Sequence, residues 1–527
     1  MPDEGAAHLV EILGADDRPA WDDAAVASQY RLRIAFPRAA EAEVAAFHEP
    51  GAHELAHRLD LRDRHVLTID PEDARDHDDA LDVRRLPDGR FEAGIHIADV
   101  SWYVRPGSAL DAEARARGTS CYLPGGVVPM LPERLSADLC SLRDGADRLA
   151  LSVLVVLDAE ARLHAYRFAA TAIRSRATLS YERVQRALDG AEPLAPAAQE
   201  AVTTLMALAR GLRRRRFEVG ALALETQEVR AVVDADGVPS ALQRRPHLES
   251  HELVEEFMLL ANRCVGEAGA VRGAGILWRV HEPPVGRKLA ELDEMLRVLG
   301  LPRLGHLDEP HRTLQVLLAV PLDPRRRRLV HRLALRSLTR ARYLERDLGH
   351  FGLATREYCH FTSPIRRYPD LHNHRRVREW IQGRRDAAWD PHENAALAGQ
   401  CSGCEQTATD AEREGVRVKG LRLLEARLGE RASGSITGLT PRGFFVELDE
   451  PPVEGFVRVS LDLDDRFDLD AAGVRLTGRR TRRRFTLGDP VDVTVARVDV
   501  PARECDLALV VPEARRGRRQ HGRLGWR

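Results

Sequence analysis

The segment TIDPEDARDHDDALDV (68–83) crowds Asp70, Glu72, Asp73, Asp76, Asp78, Asp79 and Asp82 between two β-like runs, HVLTID (65–70) and ALDVRRL (80–86). Carboxylates packed this densely repel one another, and keeping several ionised in a folded chain calls for a compensating cation. Hard oxygen ligands around a small site suit Mg²⁺ or Mn²⁺, which share phosphate oxygens with a substrate. Two such ions can activate a water and stabilise the leaving oxygen of a phosphodiester. Taken by itself, the run is equally compatible with a solvated acidic loop or a single Ca²⁺ site. It lacks the mid-loop glycine and terminal glutamate of an EF-hand, which weakens that version of the Ca²⁺ reading.

A chain of 527 residues exceeds one ordinary core, so two or more domains are expected. With 44% hydrophobic and 30% charged residues it reads as soluble and globular. No apolar run reaches membrane-spanning length and no signal-peptide pattern opens the chain, so the expected location is the cytoplasm. Seven scattered cysteines fit a reducing compartment better than a disulfide framework. Cys401 and Cys404 form a lone CxxC in a helical stretch, short of the ligands a zinc site needs. Net charge is −2, but the basic residues cluster: Arg213 to Arg216, Arg325 to Arg328, Arg479 to Arg484 and the tail beyond Arg515. Lys288 and Lys419 are the only lysines. Arginine is the better bidentate phosphate ligand, and a GC-rich genome would give the same bias.

Residues 1–50 are Ala- and acid-rich and read as a short helical preface, with a helix in AWDDAAVASQYRL (20–32). Residues 64–175 alternate strand and turn. FEAGIHIADV (91–100) and LALSVLVVLD (149–158) are further strands, and LPDGRF (86–91) supplies turn chemistry. From 180 onward helices dominate, with SYERVQRAL (180–188) and SHELVEEFMLLANRCVGEAG (250–269) at helical spacing. A strand pair near 219–232 and 239–243 surrounds DADG (234–237). A helical stretch over 393–430 then gives way to SGSITGL (433–439), GFFVEL (443–448), EGFVRVS (454–460) and a final pair at 491–498 and 505–511. Five short strands with a Gly-aromatic signature suggest a small OB-type barrel. Residues 513–527 form an Arg-rich tail expected to be disordered.

Three long segments, in order along the chain, resemble the ribonuclease II and ribonuclease R family, whose catalytic unit is the RNB domain. They are the acidic run, GTSCYLPGGVVPMLPERLSADLCSL (118–142) and HFGLATREYCHFTSPIRRYPDLHNHR (350–375). SHELVEEFMLLAN (250–262) extends the similarity, and the β-rich end resembles the S1-type OB domain that follows the catalytic domain in this family. The resemblance implies an α+β fold: a catalytic domain over 51–429 with a mixed β-sheet and surrounding helices, then a five-stranded S1-like barrel over 430–512. It implies a 3′→5′ exoribonuclease that hydrolyses single-stranded RNA to nucleoside 5′-monophosphates, with Mg²⁺ or Mn²⁺ as cofactor, working as a monomer.

By the same match Asp70, Asp76, Asp78 and Asp79 take the metal positions, while Asp73 and Asp82 are neighbours and Glu72 has no role. Asp78 and Arg366 are the catalytic pair. A fixed guanidinium at Arg366, in SPIRRY (363–368), can clamp the scissile phosphate and meet the charge of the transition state. Read alone, that arginine would sooner be the opening of a helix. Tyr122 matches an aromatic that stacks on the terminal nucleotide without reading its identity. Tyr181 and Glu256, with Glu255 adjacent, fall where the family senses the ribose 2′-hydroxyl. Arg367 joins them as an RNA contact. Phe444 and Phe445 follow Gly443 where OB folds place stacking aromatics. Alternation along a strand sends one to RNA and the other to the core, and the sequence leaves open which.

Family members commonly carry two cold-shock OB domains ahead of the catalytic domain, and the preface is too short for barrels of about five strands each. The expectation is a small helical region in their place, which leaves the RNA entry path the least determined part. Two other classes compete with the enzyme reading. An RNA-binding regulator that has lost catalysis is opposed by the intact aspartates and Arg366. A nuclease acting mainly on DNA is opposed by Tyr181 and Glu256.

Overall fold

The computed structural model describes residues 18–224, 228–384 and 389–510. The preface is helical where it is described, beginning with α1 (Asp22–Gln29) and continuing through helices Arg38–Ala45 and Ala52–Ala56. Strands β1 (Leu59–Asp60), β2 (Val66–Asp70), β3 (Asp79–Arg85) and β4 (Phe91–Ala98) follow. A small hairpin, β5 (Cys121–Leu123) and β6 (Gly126–Val128), precedes two long strands, β7 (Asp147–Leu157) and β8 (Leu163–Ser180). The six longer-range strands make one mixed sheet in the order β1-β8-β2-β3-β4-β7.

β8 decides the shape of that sheet. Its first two thirds run antiparallel to β7, from Leu163 opposite Leu157 to Arg174 opposite Asp147. Its last residues run parallel to β2, with Ser175 opposite Val66 and Ser180 opposite Asp70. One strand thus pairs with both flanks and curls the sheet on itself. β7 is apolar almost throughout and buried on both sides, as a strand covered on two faces must be.

Helices Pro196–Glu218 and Glu249–Arg272 cover one face, where Leu205, Met206, Leu253 and Phe257 pack with Ile95 and Leu151. Helix Tyr368–Ile381 and the long helix Pro391–Glu425 cover the other through Leu371, Leu397 and Cys401 against Val66, Ala80 and Ala98. The strand pair in the helical region is β9 (Val229–Val233) with β10 (Pro239–Arg244), shorter at its start than the sequence suggested. No helix among the described residues is long and apolar enough to cross a membrane.

Beyond the long helix, strands Arg431–Thr440, Gly443–Leu448, Glu454–Val457, Pro490–Asp499 and Glu504–Leu509 close into a barrel. The fold is therefore α+β with a five-stranded C-terminal barrel, as the sequence implied. Gly443 is required there, because a Cβ would sit 2.0 Å from the Val457 carbonyl oxygen. A three-stranded sheet (Phe467–Leu469, Arg475–Gly478, Arg484–Thr486), which the sequence did not suggest, is inserted between the third and fourth barrel strands. The Arg-rich tail expected over 513–527 lies outside the described residues.

Candidate active site

The acidic run is the connection between β2 and β3. Asp70 ends β2 and Asp79 begins β3, so the sheet itself delivers two of the four aspartates to one edge. The second motif pins the loop between them. His77 N–H donates to Ser141 Oγ (3.1 Å), Ser141 Oγ donates to the Arg75 carbonyl (2.7 Å), and Leu142 N–H donates to the His77 carbonyl (3.0 Å). His77 Nδ1 lies 2.8 Å from Asp70 Oδ2. Burial works against a proton on that ring, but Asp70, Asp76 and Asp79 hold its pKa above the usual value.

The third motif closes on the loop from above. Ile365 N–H donates to Asp78 Oδ1 (2.9 Å), and Arg366 Nε stands 3.5 Å from Asp78 Oδ2. Arg366 is in the turn before helix Tyr368–Ile381, not on the helix, so its head remains 42% exposed. Its carbonyl accepts from Ser120 N–H and from Thr119 Oγ1 (both 3.0 Å), which ties the second and third motifs together. Tyr122, on β5, donates its hydroxyl to Asp76 Oδ2 (3.3 Å), and the residue is 41% exposed. Its backbone N–H donates to Glu412 Oε1 (2.7 Å) on the long helix.

Tyr181 arrives by register. β8 pairs Ser180 with Asp70, and Ser180 then caps helix Tyr181–Leu188 by accepting from Arg183 N–H (3.2 Å). The Tyr181 hydroxyl is consequently pushed up by burial and by Asp79 and Asp70. Its ring stacks on His251, centroids 4.0 Å apart and planes 13° off parallel. Both line a cavity of about 460 Å³ with Pro71, Glu72 and Arg245.

Three expected RNA contacts are placed elsewhere. Glu256 is 3% exposed and accepts from Arg216 (2.5 and 3.1 Å) in the packing of helices Pro196–Glu218 and Glu249–Arg272. Its neighbour Glu255 is the more open, and it lies one helical turn from His251. Arg367 donates to both oxygens of buried Asp370 (2.7 and 2.9 Å), so its head is committed inside the protein. Phe444 is fully buried in the barrel core, packed on Phe485, whereas Phe445 is 36% exposed beside Phe456. The strand alternation thus leaves Phe445 as the outward ring.

Glu412 and His251 were not found by sequence reasoning. Glu412 is one acid among several on a long helix and gave no signal. His251 shares a helical face with Glu255 at i, i+4 spacing, which was a usable one, and it stacks on His247 just before the helix.

Charge balance separates the carboxylates of the run. Asp73 pairs with Arg230 (2.5 Å), and Asp82 is enclosed by His96 (2.7 Å) and Arg64 (3.0 Å). Asp78 has only the looser pair with Arg366 at 3.5 Å: Oδ2 is buried without a hydrogen bond, and burial pushes its pKa well above the usual range against the pull of that arginine. Asp79 is pushed up to about 8 by burial and by Asp70. A buried carboxylate oxygen with nothing to meet it is unfavourable unless a proton or a cation neutralises it. Among the described residues no three His, Cys, Asp or Glu side chains form a ready cage. Mg²⁺ does not demand one, since it takes one or two carboxylates and completes its shell with water and phosphate oxygens. The donor set fits such an ion.

The RNB domain model matches residues 58–383, and the S1 RNA binding domain model matches 425–509. The chain belongs to the RNB family. RNB ribonucleases are hydrolytic 3′→5′ exoribonucleases that depend on a divalent metal, and this chain is such an enzyme. It is 36% identical to ribonuclease R of Aquifex aeolicus over 515 residues, 95% of this chain and 72% of that protein. It is 37% identical to ribonuclease R of Thermotoga maritima, over 96% and 72% of the two chains. Mycoplasma genitalium RNase R, solved in complex with ribose methylated single-stranded RNA, superposes with a TM-score of 0.89 at 27% identity, covering 95% of this RNB chain and 79% of that one.

Proposed function

We propose that this chain degrades single-stranded RNA from its 3′ end, releasing nucleoside 5′-monophosphates, with Mg²⁺ or Mn²⁺ at Asp70, Asp76, Asp78 and Asp79. The observation that carries the site assignment is the buried, unpartnered Asp78 Oδ2 with Arg366 3.5 Å away and Tyr122 bonded to the adjacent Asp76. A bound divalent ion supplies positive charge at the phosphodiester and lowers the pKa of a water.

The chain's own groups then do the positioning. Asp78 orients its open oxygen through the Ile365 N–H, and Arg366 holds a phosphate oxygen on a head left free of any bidentate partner. Tyr122 offers its ring to the terminal base, a contact that tolerates any sequence. Tyr181, sharing a cavity with the start of the acidic loop, meets the sugar and favours RNA through the 2′-hydroxyl. We assign catalysis to residues 51–429 and strand holding to the barrel over 430–512, through Phe445. All of these groups come from one chain, consistent with a monomer, and the bacterial relatives are consistent with the cytoplasm.

Purified protein with Mg²⁺ is given 5′-labelled RNA or DNA of equal sequence. The expected result is progressive shortening of RNA from the 3′ end with mononucleotide release, and resistant DNA. Intact RNA would defeat the enzyme reading, and DNA loss at the RNA rate would defeat sugar selection by Tyr181.

A further inference from the structure

We propose that Asp23, on the N-terminal helix α1, is a positioning residue for Tyr122. The hairpin that carries Tyr122 has three-residue strands joined through Pro124 and Gly125, and an isolated two-stranded ribbon this short is marginal in water. It must therefore be held from outside. Glu412 holds its base through the Tyr122 N–H, and Asp23 Oδ2 holds its tip by accepting from Gly125 N–H at 2.5 Å. The approach is so close that a Cβ at Gly125 would lie 2.6 Å from that oxygen.

The strut has a firm foundation. Asp22, the neighbour of Asp23, is buried and pairs with Lys419 (3.0 Å) and Arg422 (2.9 Å) of the long helix. Lys419, 1% exposed, also donates to the Pro19 and Gly237 carbonyls (both 2.8 Å). One of only two lysines in the chain is thus spent fixing α1 to the helix that bears Glu412. Asp23 meanwhile keeps a buried Oδ1 with no partner, an arrangement that stability alone does not favour. The base and the tip of the hairpin are both referenced to the long helix, and Tyr122 is fixed over Asp76 between them.

The inference rests on the reading of Tyr122 as the ring that receives the terminal nucleotide. Asp23→Ala is expected to raise KM for single-stranded RNA about tenfold with kcat nearly unchanged, the effect of one charge-assisted hydrogen bond. Asp23→Asn, which keeps an acceptor for Gly125 N–H, is expected to restore KM to within about threefold. If Asp23→Ala folds poorly, Gly125→Ala disturbs the same contact from its other side and is expected to show the same KM signature. In a Tyr122→Ala background, Asp23→Ala is expected to add less than about twofold, because coupled residues are not additive. Effects that multiply, or a kcat loss tracking a fall in thermal midpoint, would overturn the positioning role. Tyr122→Ala without any change in KM would instead overturn the stacking reading, so the two failures are distinct.

Discussion

Asp78 and Asp99 are buried aspartates on the same domain, 4% and 1% exposed, and they are supplied with charge very differently. Asp99 accepts from Arg58 (2.6 Å), Ser101 (2.7 Å) and Arg378. Burial would raise its carboxyl, but the two guanidiniums hold it well below the usual carboxylate range. Asp78 receives one backbone N–H and an arginine standing off at 3.5 Å, and its pKa moves the other way. The chain carries 79 basic residues, so cations are not in short supply. Under the proposed assignment, a fold that neutralises Asp99 so completely and leaves Asp78 with one distant arginine keeps the second position for charge that comes from outside.

Asp78→Asn is the change expected to break this comparison most. The amide keeps the acceptor for Ile365 N–H but cannot balance a cation. Loss of at least about a thousandfold in kcat on single-stranded RNA is expected, roughly 4 kcal/mol of transition-state stabilisation. The metal-free thermal midpoint is expected to hold or rise. Retained activity would place the essential charge elsewhere.

Asp99→Asn tests the other half. Leaving Arg58 and Arg378 unpaired in the interior is expected to remove about 3 kcal/mol of stability in a denaturant titration, with kcat/KM per folded molecule unchanged. Because the folded pKa of Asp99 is depressed, its contribution is complete above the unfolded value near 3.8 and is lost as pH falls through the folded one. The stability gap between wild type and Asp99→Asn therefore narrows only in strong acid. A gap that closes at neutral pH would show that Asp99 is not held ionised by its arginines.

Arg366→Lys asks whether the open arginine acts by shape or by charge alone. A lysine cannot reproduce the fork, so about a hundredfold loss in kcat is expected in single-turnover RNA cleavage. A lysine variant with wild-type kcat would reduce Arg366 to a point charge. The smallest effect is expected in the barrel, where Phe444 and Phe445 repeat the contrast between a committed residue and an open one. Phe445→Ala is expected to weaken equilibrium RNA binding about tenfold without moving the thermal midpoint. Unchanged binding would mean that the outward ring does not meet the strand.

The parts of this molecule that could be read from sequence are those encoded in contiguous residues. β2, β3, β4, β7 and all five barrel strands, four to eleven residues long, follow an apolar pattern visible in contiguous sequence. β8 does not, because its 18 residues change partner midway and its burial changes with them. The inserted sheet was hidden because Arg479 to Arg484 look like a solvated turn, although Phe485 directly after them is buried. At the site, the acidic run and Arg366 were legible as motifs. Glu412 was not, since it reaches Tyr122 from 290 residues away. Arg366 and Arg367 are neighbours in one motif, and in the sequence only the family match gave them different roles. Only the turn into the following helix shows that Arg367 is given to Asp370 and Arg366 to the opening above Asp78.

The most direct test is the thermal midpoint of wild type and Asp78→Asn, each measured with Mg²⁺ and again with a chelator in its place. An ion held a hundredfold above its Kd stabilises the folded state by about 2.7 kcal/mol, a shift easily read. Wild type is expected to lose that increment when the metal is removed, and Asp78→Asn to melt at the same temperature in both conditions. An equal Mg²⁺-dependent shift in the two proteins would contradict the claim that Asp78 is left open for a divalent ion.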